Sequence, residues 1–341
     1  MEVTIKQIAE IAGVHRSTVD KVLHNREGVS DQVRQRIQTI IDELGYKPNV
    51  IGKALTFQKR PLLVAVILLN VDALTELKQG IEEAYSEYSN YGLKVEYYYT
   101  NSDDEKEQAS VLGFLAEKNI AGIIIHPINH PSIKDKINNF VDMNIPVVTM
   151  NTDLNDCKRL CFLGQDMVAA GRVAGELMGQ ILNGRGKVAI LTGSDSLLSS
   201  KEREKAFEDI ISECYPEIDI IDVIETYEAK NRAFQSTLEL LRRENDLRGI
   251  YVTSGSVGEI GKAIKLEGRH KDIKVITFDV YPEIVNLIKE GVINFTIGQE
   301  LQLQGYKALK TLFEFLFYNR EPQNDHIKTA IQIRLKENID I

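Results

Sequence analysis

Cysteine is scarce and odd in number: Cys157, Cys161 and Cys214 are the only three among 341 residues, too few and too unevenly placed for a disulfide framework. The Cys157-x-x-x-Cys161 pair has no neighbouring His or further Cys at ligand spacing. The thiols therefore read as reduced and partly buried, and no metal is expected. No apolar run is long enough to span a bilayer, and the first residues lack the charged-then-apolar pattern of a signal peptide, so a cytoplasmic protein with no membrane partner is expected. Catalytic signatures are missing too. Leu69-Asn-Val-Asp-Ala-Leu74 contains no glycine for a dinucleotide fingerprint, and Gly184-Arg-Gly-Lys187 lacks the Ser/Thr and spacing of a phosphate-binding loop. There is no G-x-S-x-G elbow and no H-E-x-x-H pair, and the Ser-rich stretch from Gly193 to Ser200 has no evident base and reads as a ligand-side loop. Neither an enzyme nor a cofactor is expected.

Charge is present but divided. The chain is net −9, yet residues 1–60 carry ten Lys+Arg against seven Asp+Glu, net +3, while the remainder is net −12. A basic surface confined to the first sixty residues suits a nucleic acid, and an acidic body discourages indiscriminate coating of it. Length and a 43% hydrophobic content allow one small and two medium domains.

The basic segment opens with Thr4 as a cap and places Ile5, Ile8, Ala9 and Ala12 on one face of a first helix. Gly13 supplies a tight turn, and Val14, Val19, Val22 and Leu23 bury a second helix against the first. This is a helix-turn-helix. His15, Arg16, Ser17, Asp20 and Lys21 face outward, where the N-terminal side chains of such a second helix reach base edges in the major groove. Asp20 either accepts from cytosine N4 or holds Lys21 or Arg16 in place. A third helix runs from Ser30 as N-cap through Val33, Ile37, Ile40, Ile41 and Leu44 to Gly45. Pro48 and Asn49 then start a short hinge helix, in which Gly52 costs about 1 kcal/mol of helix propensity.

The unbroken run from Thr4 to Leu55, with its AGV turn, STV helix, GVS cap and LGY-x-PN junction, resembles the head and hinge of the LacI/GalR family of bacterial transcriptional regulators. The resemblance implies DNA contacts from Thr4, His15, Arg16, Ser17, Thr18, Lys21, Asn25, Asn49 and Lys53. It also implies a minor-groove wedge at Leu55. His15 and Asp20 depart from the Ser usual at both positions, and Gly52 from the usual Ala.

Beyond Arg60 the pattern becomes apolar strands alternating with amphipathic helices. Leu62–Leu69, Val95–Tyr99, Gly122–His126 and Pro146–Met150 form one series, and Lys187–Thr192, Ile218–Glu225, Gly249–Thr253 and Lys274–Phe278 a second. An α/β body of two doubly wound parallel-sheet lobes is expected behind the small all-α head. It is similar to type I periplasmic binding proteins. Leu163-Gly-Gln-Asp166, Lys201-Glu-Arg203, Thr277-Phe-Asp279 and Phe295-Thr-Ile-Gly-Gln299 carry that likeness, at strand ends where open α/β sheets bind ligands. The expected effector site comprises Asp72, His126, Asn151, Asp153, Asp166, Arg203, Ser254, Asp279 and Gln299, a mixture of donors and acceptors suited to a polyhydroxylated ligand such as a sugar. An aromatic platform would come from Tyr227, Tyr281 or His126, because Val71-Asp72-Ala73-Leu74 supplies none.

The expected organisation is a head over 1–47, a hinge and linker over 48–60, and a body over 61–341. Lobe 1 takes about 61–163 and 297–324, and lobe 2 about 164–296 and 325–341. The expected function is a sequence-specific repressor, a homodimer or tetramer on a two-fold operator, whose affinity for double-stranded DNA is set by the sugar-like effector. The alternatives are a solute-binding sugar receptor and a sugar-modifying enzyme.

Overall fold

The computed structural model describes residues 3–23, 27–45, 50–194 and 196–340. In the head, α1 (Ile5–Ala12), α2 (Arg16–Leu23) and α3 (Asp31–Leu44) enclose one core of Ile8, Ala9, Ala12, Val19, Val22, Ile37, Ile40 and Ile41. Thr4 and Gln7 form a reciprocal capping box, and Gly13 ends α1 in the left-handed region at φ 61. The Arg36 guanidinium donates to the Ala12 carbonyl and so satisfies an acceptor that the end of α1 leaves open. Ser30 has the extended backbone of an N-cap, but its side chain makes no cap bond. The hinge forms α4 (Val50–Lys59), with the Thr56 hydroxyl turned back onto the Gly52 carbonyl.

The body runs β1 (Leu62–Leu69), α5 (Leu74–Tyr88), β2 (Leu93–Thr100), α6 (Glu105–Ala116), β3 (Gly122–Ile125), α7 (Pro131–Asp142), β4 (Val147–Met150) and β5 (Cys161–Gln165). It crosses to α8 (Met167–Ile181), β6 (Arg185–Thr192), α9 (Leu198–Cys214), β7 (Glu217–Glu225), α10 (Lys230–Arg243), β8 (Leu247–Val252), α11 (Val257–Leu266), β9 (Lys274–Phe278), α12 (Pro282–Lys289) and β10 (Phe295–Gly298). It then returns through α13 (Leu301–Tyr318) and β11 (His326–Thr329) before a last strand, β12 (Gln332–Arg334).

Each lobe is built on a six-stranded sheet, ordered β2-β1-β3-β4-β5-β11 and β7-β6-β8-β9-β10-β12; only the β10/β12 pairing is antiparallel. Central strands covered on both faces must be apolar throughout, which is why Leu62–Leu69 reads as a continuous run rather than an alternation. Ile67 and Ile125 pack with Leu112, Leu115, Ile133 and Ile137 of α6 and α7 on one side of the first sheet. In the second lobe, Ile250 and Val275 pack with α10, α11 and α12, while Ile190 and Ile276 meet Ala170, Ala174 and Phe207 of α8 and α9.

The lobe boundaries differ from the sequence expectation at one crossover. Residues 326–329 do not go to the second lobe at about 325; they run parallel to β5, with His326 opposite Phe162 and the Asp325 carbonyl accepting from Phe162 N. The last crossover therefore falls at Ala330 and Ile331. Pairing with β11 satisfies the outer backbone groups of the buried strand β5 and leaves a short four-residue strand at the edge, which outweighs the weak local signal in this stretch. α13, which the strand-helix count did not single out, completes the first lobe against α5.

Those two helices meet backbone to backbone. A Cβ on Gly80 would overlap the Gln302 carbonyl oxygen, and one on Gly305 would overlap the Leu77 carbonyl. Gly80→Ala or Gly305→Ala should each lower body stability by roughly 1–3 kcal/mol, read as a drop in urea midpoint at unchanged m-value.

Candidate DNA-reading surface and ligand cleft

On the head, Arg16, Ser17 and Lys21 are exposed on α2, Thr18 and Asp20 are half-buried, and Val19 and Val22 face the core. His15 and Ser17 are joined to each other: Nδ1 of His15 lies 2.8 Å from the Ser17 hydroxyl and accepts from Ser17 N at 3.3 Å. His15 thus caps α2, which anchors the start of the reading helix and takes one ring nitrogen out of base reading. The same His-x-Ser geometry recurs at His130 and Ser132, at the start of α7. That repetition in the sequence was the available signal. Thr4 is occupied in its capping box. In α4, Leu55 is 55% exposed, while Lys53 is half-buried with its ammonium 5.9 Å from the centre of the Phe57 ring. Asn25 and Asn49 lie outside the described residues.

In the body, the carboxyl ends of the strands converge on a closed cavity of about 40 Å³ lined by Asp72, His126, Asn151, Arg203, Ser254, Asp279 and Gln299, all expected from sequence. Asp72 follows β1, His126 follows β3 and Asn151 follows β4. Ser254 and Asp279 come from the ends of β8 and β9, and Arg203 from the second turn of α9. Arg203 sits there because α8 and α9 pack closely: a Cβ on Gly171 would strike the Arg203 carbonyl.

Only 4% exposed, the Arg203 guanidinium stacks on Phe278 with Cζ 3.7 Å from the ring centre. It donates to the Thr253 carbonyl at 3.1 Å and to Gln299 Oε1 at 2.8 Å. Gln299 Nε2 in turn donates to Asp279 Oδ1 at 2.6 Å. Asp279 has φ 73, a conformation costly for a residue with a Cβ and typical of strained functional positions. Arg203 Nε and both ring nitrogens of His126 are buried without a hydrogen-bond partner. Burial pushes His126 down to about 3, so its ring is neutral and offers one donor and one acceptor to the cavity.

The lobes touch directly across this cavity. Ser256 N donates to Asp72 Oδ2 at 3.2 Å, Ser199 N to Thr152 Oγ1 at 3.1 Å, Asn129 N to the Ser196 carbonyl at 2.7 Å and the Ser196 hydroxyl to the Ser102 carbonyl at 2.9 Å. This is a closed arrangement. A space of this size holds only a few water molecules, so admitting a sugar ring requires the lobes to part.

Two expected residues lie elsewhere. Asp153 accepts from the Thr149 hydroxyl at 2.7 Å and pairs with Arg159 at 2.6 Å. Asp166 caps α8 through Ala169 N at 3.0 Å and pairs with Lys328 at 2.7 Å, which holds its carboxyl below the usual range. Both face a separate groove beside β5, because each already has a fixed cation and a structural task. Of the candidate platforms, His126 and Tyr281 line the cavity; Tyr227 is 42% exposed and stacks under Arg232.

Sequence reasoning missed Glu228. It follows β7 at φ 55, an unusual backbone for a glutamate, and turns its carboxylate inward to accept from Gly255 N at 3.1 Å. Nothing in the local pattern marks it, since only the tertiary path of the loop carries it to the cavity. The three thiols are free, Cys161 buried and pushed up to about 12 by that burial, Cys157 half-buried and Cys214 exposed rather than partly buried as expected, and among the described residues no group of His, Cys, Asp and Glu could hold a metal ion.

A two-lobed α/β body closed on a polar cavity, borne on a chain that begins with a helix-turn-helix, defines a ligand-binding module coupled to a DNA-reading head. The chain belongs to the periplasmic binding protein domain family, whose model matches residues 64–318, and carries a domain of the lacI family of bacterial regulatory proteins over residues 4–49. It is 25% identical over 330 residues to the HTH-type transcriptional regulator MalR of Streptococcus pneumoniae serotype 4, covering 94% of each chain. It is 29% identical over 232 residues to the regulator DegA of Bacillus subtilis, covering 66% of each. Among solved structures it is similar to GanP, a glucose-galactose binding protein of Geobacillus stearothermophilus, with a TM-score of 0.76, 25% identity, and 82% of this chain and 99% of that one covered. Among the described residues no helix is long and apolar enough to cross a membrane.

Glu228 sets a pH dependence. Burial, with Asp72 and Asp279 nearby, pushes its carboxyl from 4.5 to about 7. Between those values the folded protein keeps the proton that the unfolded chain releases, so stability falls as pH rises through this window and stays lower above it. Glu228→Gln should be more stable than the parent at pH 8 by roughly 1–3 kcal/mol. The difference should vanish below pH 5, as checked by denaturant unfolding at both pH values.

Proposed function

We propose that this regulator is a cytoplasmic repressor that binds a two-fold operator as a homodimer and changes its operator affinity when a small polyhydroxylated effector enters the cleft. The observation that carries the effector half of this reading is the cavity itself: donors and acceptors from both lobes, three of them buried ring or guanidinium nitrogens without partners, face one small space. The relatives support the ligand class. One is the ribose operon repressor of Lactococcus lactis, 28% identical over 225 residues, and GanP binds glucose and galactose by its description.

For the DNA half, Arg16 and Lys21 supply affinity and base reading from α2, Ser17 reads a base or a phosphate, Thr18 contacts the DNA, and Leu55 wedges a base step from the hinge. The polar residues meeting at the cavity give closed and open lobes different affinities for effector. The effector thereby biases lobe closure, and by linkage operator binding changes the effector affinity in return.

Selection from a random duplex library with the full chain tests the reading. It should return a two-fold site with half-site centres about 34–36 Å apart. Arg16→Ala should then relax sequence choice by about 1–3 kcal/mol at one base pair if it reads a guanine. Recovery of no preferred sequence, or a preference untouched by Arg16→Ala with Lys21→Ala, contradicts it. Leu55→Ala should reduce both operator affinity and the induced bend, measured by gel phasing, while leaving the thermal unfolding of the head unchanged.

A further inference from the structure

The charges around the cavity do not balance. Asp72 enters from the first lobe, Glu228 and Asp279 from the second, and Glu76 stands at the mouth in the two adjoining grooves; Arg203 is the single cationic side chain lining the cavity. Arg203 spends its donors on Thr253 and Gln299, so Asp279 is met by the Gln299 amide. Of the nearby cations, Lys262 pairs with Glu259 and Glu283, and Arg334, in the groove that Glu76 also lines, donates to the Asn338 carbonyl and to Gln332 Oε1. Among the described residues, Asp72, Glu76, Glu228 and Asp279 make no ion pair within 4.0 Å.

Two of these carboxylates reach one loop from opposite lobes, Glu228 Oε2 accepting from Gly255 N at 3.1 Å and Asp72 Oδ2 from Ser256 N at 3.2 Å. A Cβ placed on Gly255 would overlap Glu228 Oε2 and lie 3.1 Å from Asp72 Oδ2. Closing the cleft therefore drives like charges together in a water-poor space, at a cost that grows as the surroundings become less polar. Burial and mutual repulsion push Glu228 and Glu76 up to about 7, the response of acids without a partner cation. A metal ion does not answer the imbalance, because no suitable ligand group exists among the described residues. His126 does not answer it either, being neutral, but its two unpartnered nitrogens supply the polar contacts that a hydroxylated ring requires.

We infer that the effector is a polyhydroxylated molecule bearing a protonated amine, an amino-sugar-like cation, whose ammonium lies between Asp72 and Glu228 and draws the two lobes together. This deepens, and rests on, the reading of the cleft as the effector site. A neutral sugar leaves the two carboxylates opposed, and a sugar acid adds a further negative charge; an ammonium donates to both carboxylates and bridges the lobes as they come together around the ring. The acidic mouth around Glu76 raises the local concentration of such a cation.

Isothermal titration of the full-length protein at about neutral pH tests this with matched probes: D-glucosamine against D-glucose, D-galactosamine against D-galactose and D-mannosamine against D-mannose, with D-glucuronate and D-galacturonate as acids. At least one amine should bind about tenfold or more tightly than its hydroxyl parent, and the acids should not bind. Glu228→Gln and Asp72→Asn should each bring that ratio close to one, with unfolding curves showing that both variants are folded. A neutral or acidic probe that binds as tightly as its amine, a preference that survives both substitutions, or failure of every amine to bind overturns the inference. A neutral sugar that binds and shifts operator affinity would remove the amine while leaving the regulator standing; absence of any selected operator would strike the regulator and not the cleft chemistry.

Discussion

Gln299 is the residue on which the body's working parts depend. Its side-chain amide is oriented by its partners, the oxygen accepting from Arg203 and the nitrogen donating to Asp279, so it lies in the wall of the cavity. Its backbone carbonyl accepts from Gln304 Nε2 at 2.8 Å and from the Thr329 hydroxyl at 3.0 Å, so the same residue lies in the hinge. Gln165, on the first crossover, donates to the Gly298 carbonyl at 3.1 Å and to the Ala330 carbonyl at 3.0 Å, which ties all three crossovers into one polar cluster. A ligand that reorganises Arg203 or Asp279 therefore acts on groups bonded to the segments about which the lobes move. In a buried setting such bonds are exchanged rather than simply lost, because an orphaned amide costs about 1–3 kcal/mol.

The electrostatics of the cleft follow from the same economy of cations. One guanidinium is shared among a carbonyl, an amide and an aromatic face, which fixes its position; its charge favours the ionised form of Asp279, but burial outweighs it and the Asp279 carboxyl stays raised. The carboxylates then control how readily the lobes close. Burial raises the Glu228 and Glu76 carboxyls to about 7, so the charge held in the closed cleft changes around neutral pH. Lobe–lobe bonds such as Ser256 N to Asp72 work against this repulsion in the closed form. Opposing terms of similar size make a two-state element that a modest ligand contribution can shift.

How much was readable from sequence depended on whether the cause was local. The head was legible nearly residue by residue, since Thr4 and Gln7, the Gly13 turn and the seam from Ile8 to Val22 are short-range devices. Parallel strands such as Leu62–Leu69 declared themselves by being apolar without alternation. Strand ends then gave Asp72, His126, Asn151, Arg203, Ser254, Asp279 and Gln299 as a cluster. Asp153 and Asp166 shared the strand-end position, but Arg159 and Lys328 engage them, and those pairings depend on tertiary proximity. Glu228 was invisible because its loop carries no motif, and the cap that His15 Nδ1 forms was not foreseen because a histidine cap and a histidine that reads bases occupy the same outward position. The crossover at Ala330 was displaced for a similar reason: a four-residue edge strand is specified by the open edge beside it more than by its own residues.

The distribution of stiffness completes the argument. Within the first lobe α5 and α13 approach backbone to backbone at Gly80 and Gly305, and within the second α8 and α9 do so at Gly171. Closely packed interiors of this kind resist small deformations and transmit displacement as rigid bodies. The crossovers have the opposite character, with polar side chains, a left-handed Glu300 at φ 55 and carbonyls that accept from several donors. Under the proposed reading of the cleft, Arg203, seated on the α8–α9 pair and bonded to Gln299 beside the crossovers, is the residue through which an effector contact would reach the segments joining the lobes.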